Sequence, residues 1–177
     1  MTREELAHGI RAACDVAGED TVIVFGSQAI LAQFPDAPPE LRQSAEMDVS
    51  PLRRTDRVDD IDGSLGELSQ FHATHGFYVH GLVIEEAVNL PAGWRDRLVE
   101  VSGLGSQMSR GLCLEAHDIA ATKLAAFRDK DKDYVRVLLV RGMIEADVLV
   151  ERIETQDLPA EERDRRIRWV RLTEGGR

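Results

Sequence analysis

Thr21-Val-Ile-Val-Phe25 is an almost unbroken apolar run of strand length, and it stops at Gly26-Ser27. No other feature constrains the fold as strongly. A strand without polar alternation needs cover on both faces, which places it inside a sheet, and glycine at its end permits a sharp turn. Just upstream, Leu6, Ile10, Ala13 and Cys14 recur at helical spacing between Glu4 and Ala17, with Gly18 as a stop. The chain therefore begins with an amphipathic helix followed by a buried strand.

The remaining elements follow from the same periodicities. Gln28 to Gln33 resumes helical character, whereas Pro35, Pro38 and Pro39 make residues 34–43 an exposed loop. Glu46-Met-Asp-Val49 alternates polar and apolar side chains and is closed by Pro51, a short strand with one wet face. Val58, Ile61, Leu65, Leu68 and Phe71 form a single helical stripe despite Gly63 and Gly66. Phe77 to His80 reads as a third strand. Leu98 to Val101 and Leu112 to Leu114 read as two more, joined by a glycine-containing connection that suits a hairpin. From His117 the pattern is helical over 119–127, 134–140, 146–153 and 161–172, with breaks at Gly142 and Pro159. Strands first and helices later indicate α+β, and 177 residues suit one core with an appended helical end.

Charge and cysteine usage exclude several function classes. A net charge of −10, from 32 acidic and 22 basic residues, disfavours nucleic-acid binding through the overall field. The densest basic cluster, Arg163, Arg165, Arg166, Arg168 and Arg171, is interleaved with acids and reads as a solvated helix. Cys14 and Cys113 sit beside apolar residues without CxxC spacing; they read as buried free thiols, which excludes a disulfide framework or thiolate zinc site and fits a reducing compartment. Glu4 and Glu5 stand where a secretion signal needs basic and then apolar residues, and no stretch approaches the roughly 20 apolar residues of a membrane span. The expectation is a cytoplasmic protein without a membrane partner.

Three segments carry residues suited to chemistry. Gly26-Ser27, after a strand, could bring backbone amides and a hydroxyl to a phosphate; the alternative is a turn glycine and a capping serine. Glu46 and Asp48, at i and i+2 of a strand, project from one face and could share a hard cation such as Mg²⁺; the alternative is the solvent face of an edge strand. Lys123 lies in an Ala- and Leu-rich helix, where its ammonium either snorkels to solvent or neutralises phosphate charge. Asp129, Asp131 and Asp133 open the next helix, and N-capping accounts for any one of them. His72, His75 and His80 cluster around a turn, but in no recognised metal-ligand spacing, so a histidine-metal hydrolase is a weaker reading.

In order, Val24-Phe-Gly-Ser27, Glu46-Met-Asp48 and Asp118-Ile-Ala-Ala-Thr-Lys-Leu-Ala-Ala-Phe-Arg-Asp-Lys-Asp-Lys-Asp133 resemble the polymerase-beta-like nucleotidyltransferase superfamily, and more closely its bacterial toxin and abortive-infection branch. The resemblance spans roughly residues 22–139. It implies a mixed sheet flanked by helices over 1–115 and a helical part over 116–177, packed as one domain. It also implies a phosphate-binding turn at Gly26 and Ser27, and a metal pair at Glu46 and Asp48. Lys123 would steady the nucleotide, and Asp133 would be the downstream acid; Asp48, Lys123 and Asp133 are thus the implied catalytic residues. The implied chemistry is transfer of a nucleoside monophosphate from NTP to an RNA or protein hydroxyl, assisted by Mg²⁺ or Mn²⁺, with a cognate antitoxin or other partner protein. The sequence departs from the family pattern at Glu46, where aspartate is usual. No third carboxylate is evident, because His80 occupies the corresponding strand and Glu85 and Glu86 follow it. A noncatalytic protein on the same fold, binding a nucleotide or a partner, is the competing expectation.

Overall fold

In a computed structural model, residues 1–101 and 109–175 are described. The chain divides into two units, one comprising Met1–Ala87 with Leu98–Leu114, the other Val88–Arg97 with Glu115–Arg177.

The first unit begins with helix α1 (Arg3–Ala17). Thr2 and Glu5 form a reciprocal capping box at its start, and Gly18 closes it in the left-handed conformation at φ 67°. The next element, β1 (Thr21–Phe25), is buried along its whole length, as the uninterrupted apolar run requires. A turn of 3₁₀ helix over Ser27–Ala32 follows, then β2 (Glu46–Pro51), α2 (Val58–Leu65), α3 (Gln70–His75), β3 (Tyr78–Gly81), α4 (Ile84–Ala87), β4 (Val99–Val101) and β5 (Arg110–Cys113).

The sheet runs β3-β2-β1-β5-β4. β1 is antiparallel to β2 and parallel to β5, β2 is parallel to β3, and β4 is antiparallel to β5. The architecture is α+β with a mixed five-stranded sheet. The antiparallel β4–β5 pair agrees with the expected hairpin, although its glycine-containing connection lies largely outside the described residues. Helix α1 lies close on the sheet: a β-carbon at Gly9 would stand 2.6 Å from Met47 Cε, and one at Gly111 would stand 2.5 Å from Ile10 Cδ1. Its face of Leu6, Ile10, Ala13, Cys14 and Ala17 is buried there. Both thiols are buried and unpaired, with Cys14 pushed up to about 11 and Cys113 to about 12, chiefly by burial.

Two segments depart from the sequence reading. The stripe from Val58 to Phe71 is two helices. The Gly66 N–H closes onto Asp62 O, where a β-carbon would collide with that carbonyl, and Leu68 turns left-handed at φ 67° with 91% exposure. The Ser69 hydroxyl then accepts from His72 N and starts α3. The loop over 34–43 contains a short 3₁₀ turn, Pro39–Leu41, and buries Ala37 and Leu41.

The second unit is helical: α5 (Ala116–Ala126), α6 (Asp129–Val140), α7 (Ala146–Glu154) and α8 (Ala160–Gly175), with a 3₁₀ turn over Trp94–Arg97. α5 packs against α6 and α7, and α8 against α6 and α7. At its centre Asp118 is fully buried and held by Arg97, with Nε 2.9 Å from Oδ2 and Nη2 3.0 Å from Oδ1. Arg166, also buried, donates to the terminal α5 carbonyls of Leu124 and Ala125. No described helix is long and apolar enough to cross a membrane.

Candidate active site

The alternation of β2 separates its side chains by face. Met47 and Val49 are fully buried, while Glu46 and Asp48 project to the other face and remain partly exposed. Parallel pairing with β3 sets Glu46 opposite Tyr78 and Asp48 opposite His80. The imidazole thereby joins the two acids: His80 Nδ1 is 3.0 Å from Glu46 Oε1 and 3.6 Å from Asp48 Oδ1. One ligand atom from each of Glu46, Asp48 and His80 can be chosen so that all lie within 4.8 Å of one another. Side-chain exposures of 37%, 22% and 38% leave the group open to solvent and to a small ligand.

Gly26 completes the wall. It follows β1 at φ 69°, and antiparallel pairing of Phe25 with Asp48 brings the aspartate alongside it. A β-carbon at residue 26 would overlap Asp48 Oδ2 and stand 3.1 Å from its Cγ. Behind His80, Nε2 faces Asp62 Oδ1 at 4.0 Å. The field is negative: burial and then the Glu46, Glu67, Asp48 and Asp62 charges push the Tyr78 hydroxyl above its ordinary range.

Of the residues singled out in the sequence, Gly26, Glu46 and Asp48 come together in this unit. Ser27 is half-buried and opens the 3₁₀ turn; the N-cap position belongs to Gly26, and no side chain caps the turn. Lys123 and Asp133 belong to the helical unit. There Lys123 Nζ lies 3.7 Å from the buried carboxylate of Asp131 and 4.4 Å from the Tyr134 ring centroid. Asp131 also accepts from Arg128 Nε at 2.6 Å. Asp133 is 71% exposed and pairs with Arg136 on its own helix. None of the three aspartates is the N-cap of α6, which is Arg128.

The histidines separate. His75 Nε2 meets His8 Nε2 at 3.3 Å, His72 Nδ1 accepts from Leu68 N, and only His80 is among the clustered acids. In the sequence, His80 stands on the strand where a third carboxylate is missing. It in fact shares the face of Glu46 and Asp48, which the period of two on Tyr78-Val79-His80 permits but does not establish without the β2–β3 register. Asp62 gave no signal in the sequence.

A model of a protein family described as a nucleotidyltransferase of unknown function (DUF6036) matches residues 5–173. No curated protein and no solved structure matches the chain.

Proposed function

Because this chain belongs to that nucleotidyltransferase family, we propose that it transfers a nucleoside monophosphate from an NTP to a hydroxyl group, using a divalent cation at Glu46 and Asp48. The observation that carries this reading is the convergence of Glu46, Asp48 and His80 beside a glycine that admits no side chain. Two carboxylates and an imidazole make a donor set suited to a divalent cation, and their mutual distances fit ligation of a single ion. When bound, such a cation would offset the charge on the triphosphate and on the departing pyrophosphate.

The protein's own part is positional. Asp48 is fixed by β-sheet pairing on both sides, to Phe25 and to His80, so its carboxylate is held without ordering a flexible loop. Gly26 keeps the space beside Asp48 free of a side chain, and Ser27 presents a hydroxyl at the start of the following turn. In the transfer, the acceptor oxygen bonds to the α-phosphorus and the bond from that phosphorus to the β-phosphate oxygen breaks. Pyrophosphate leaves with the bonding electrons, and the hydroxyl proton passes to water, which reaches these partly exposed side chains. The net charge of −10 favours a protein hydroxyl over RNA as acceptor, since a polyanion gains nothing from the overall field.

Incubation with each α-labelled NTP, Mg²⁺ or Mn²⁺, and cellular protein or total RNA tests this. Label should enter an acceptor with the wild-type chain and fail to do so with Asp48→Ala. Transfer that survives the substitution would refute the assignment.

A further inference from the structure

We infer that His80 is a direct nitrogen ligand of the cation, oriented from behind by Asp62, and that it biases the site toward Mn²⁺ over Mg²⁺. This rests on the metal reading above but goes beyond it, because two carboxylates alone discriminate little between these ions.

Three observations carry the inference. First, the geometry suits ligation: donors bound at about 2.1 Å to one cation stand about 3 Å apart when adjacent and about 4.2 Å apart when opposite. His80 Nδ1 lies 3.0 Å from Glu46 Oε1 and 3.6 Å from Asp48 Oδ1, close to those separations. Second, the other ring nitrogen has its own acid. Nε2 lies 4.0 Å from Asp62 Oδ1, beyond direct hydrogen-bond distance, so the Asp62 carboxylate acts through its charge, favouring a proton on Nε2 and so leaving the Nδ1 lone pair for the ion. Third, both supports are built into regular structure. His80 is placed by its register with Asp48, and Asp62 lies in the last turns of α2, where Gly66 closes on its backbone carbonyl.

The chemical consequence follows from ligand preference. Mg²⁺ sheds water reluctantly and prefers oxygen donors, whereas the first-row transition ions accept imidazole nitrogen more readily. A carboxylate at position 80 would give three oxygens and suit Mg²⁺; histidine there shifts the balance. Asp62 is a positioning residue in this scheme and does not contact the ion.

The test is direct Mn²⁺ binding to the chelator-treated full chain, followed by electron paramagnetic resonance and by competition with Mg²⁺. The wild-type protein should show electron spin echo modulation from a coordinated ¹⁴N nucleus and bind Mn²⁺ at least about tenfold more tightly than Mg²⁺. His80→Asp should lose the nitrogen coupling and bring the two affinities within about threefold. Asp62→Asn should keep the coupling and weaken Mn²⁺ binding about tenfold. Circular dichroism melts establish that each variant is folded. Mn²⁺ bound through Asp48, judged by loss in Asp48→Asn, but without nitrogen coupling, would overturn ligation by His80 while leaving the proposed function intact. Coupling that persists in His80→Asp would overturn it equally, because another histidine would be the source. Unchanged binding in Asp62→Asn would overturn the positioning role. Absence of Mn²⁺ binding, or binding indifferent to Asp48→Asn, would remove both readings together.

Discussion

The carboxylate of Asp48 lies where a β-carbon on Gly26 would have to stand. Two strands are joined there by backbone pairing, and the missing side chain on one lets the acid of the other lie against its main chain. Gly26→Ala adds a collision to a φ of 69° that alanine adopts poorly. We predict a stability loss of about 1–3 kcal/mol and displacement of Asp48 from the cluster. Urea unfolding and Mn²⁺ titration of the purified variant would report the two effects separately; unchanged metal affinity would show that the close approach is incidental.

Removal of Arg97 should be more damaging than its place in a short 3₁₀ turn suggests. Its guanidinium grips Asp118 through two hydrogen bonds, while Arg152 Nε adds an ion pair at 3.3 Å. Burial raises the Asp118 carboxyl, and the two arginines oppose that rise. Arg97→Ala is expected to cost about 3–5 kcal/mol, and Arg97→Lys less, since it keeps the charge but not the fork. Both tryptophans, Trp94 and Trp169, belong to the same unit, so intrinsic fluorescence during denaturation measures the loss there.

The helical unit should also show a pH-dependent stability term from His117. Burial lowers the affinity of this ring for a proton, but the Glu115 carboxylate at 2.8 Å and that of Glu145 at 3.0 Å outweigh burial and leave it raised above 6.5. A raised folded value contributes stability in full below 6.5, and this is lost as pH climbs through the folded value. Glu115 behaves oppositely: burial raises it, yet His117 and two backbone amides bring it below 4.5, so its share is present above 4.5 and lost on acidification. The stability difference between wild type and His117→Asn should therefore be wider at about pH 5.5 than at about pH 9. A constant difference across that range would contradict the assignment.

Arg166 likewise has a structural task. Its Nε and Nη2 donate to Leu124 O and Ala125 O at 3.1 Å, satisfying carbonyls that the end of α5 leaves without helical partners. Arg166→Ala is expected to destabilise by about 2–4 kcal/mol, whereas Arg168→Ala, exposed on the same helix, should change stability by less than about 0.5 kcal/mol. Paired chemical denaturation curves would distinguish them.

These arginines also mark where the sequence ceased to be informative. A run of five arginines among acids reads as one solvated face, and four of the five are indeed at least partly exposed; nothing in spacing distinguishes the one that reaches the end of another helix. The strands were easier to identify. β1 lacks polar alternation because it is covered on both sides, and Glu46 and Asp48 alternate with Met47 and Val49, so their common face could be read from a period of two. His80 could not be added in the same way. Its partnership with Glu46 spans 34 residues and depends on a parallel register that no local pattern encodes. The α2–α3 break escaped because the apolar stripe continues through it, and the left-handed Leu68 is invisible to periodicity.

The sheet order has a consequence for biosynthesis. β1 borders β5, which is synthesised after β2, β3 and β4 and so long after β1 itself. Until then one hydrogen-bonding edge of the most apolar strand has no neighbour, an invitation to intermolecular pairing. Nascent chains halted before β5 should therefore depend on chaperones more than the finished protein does.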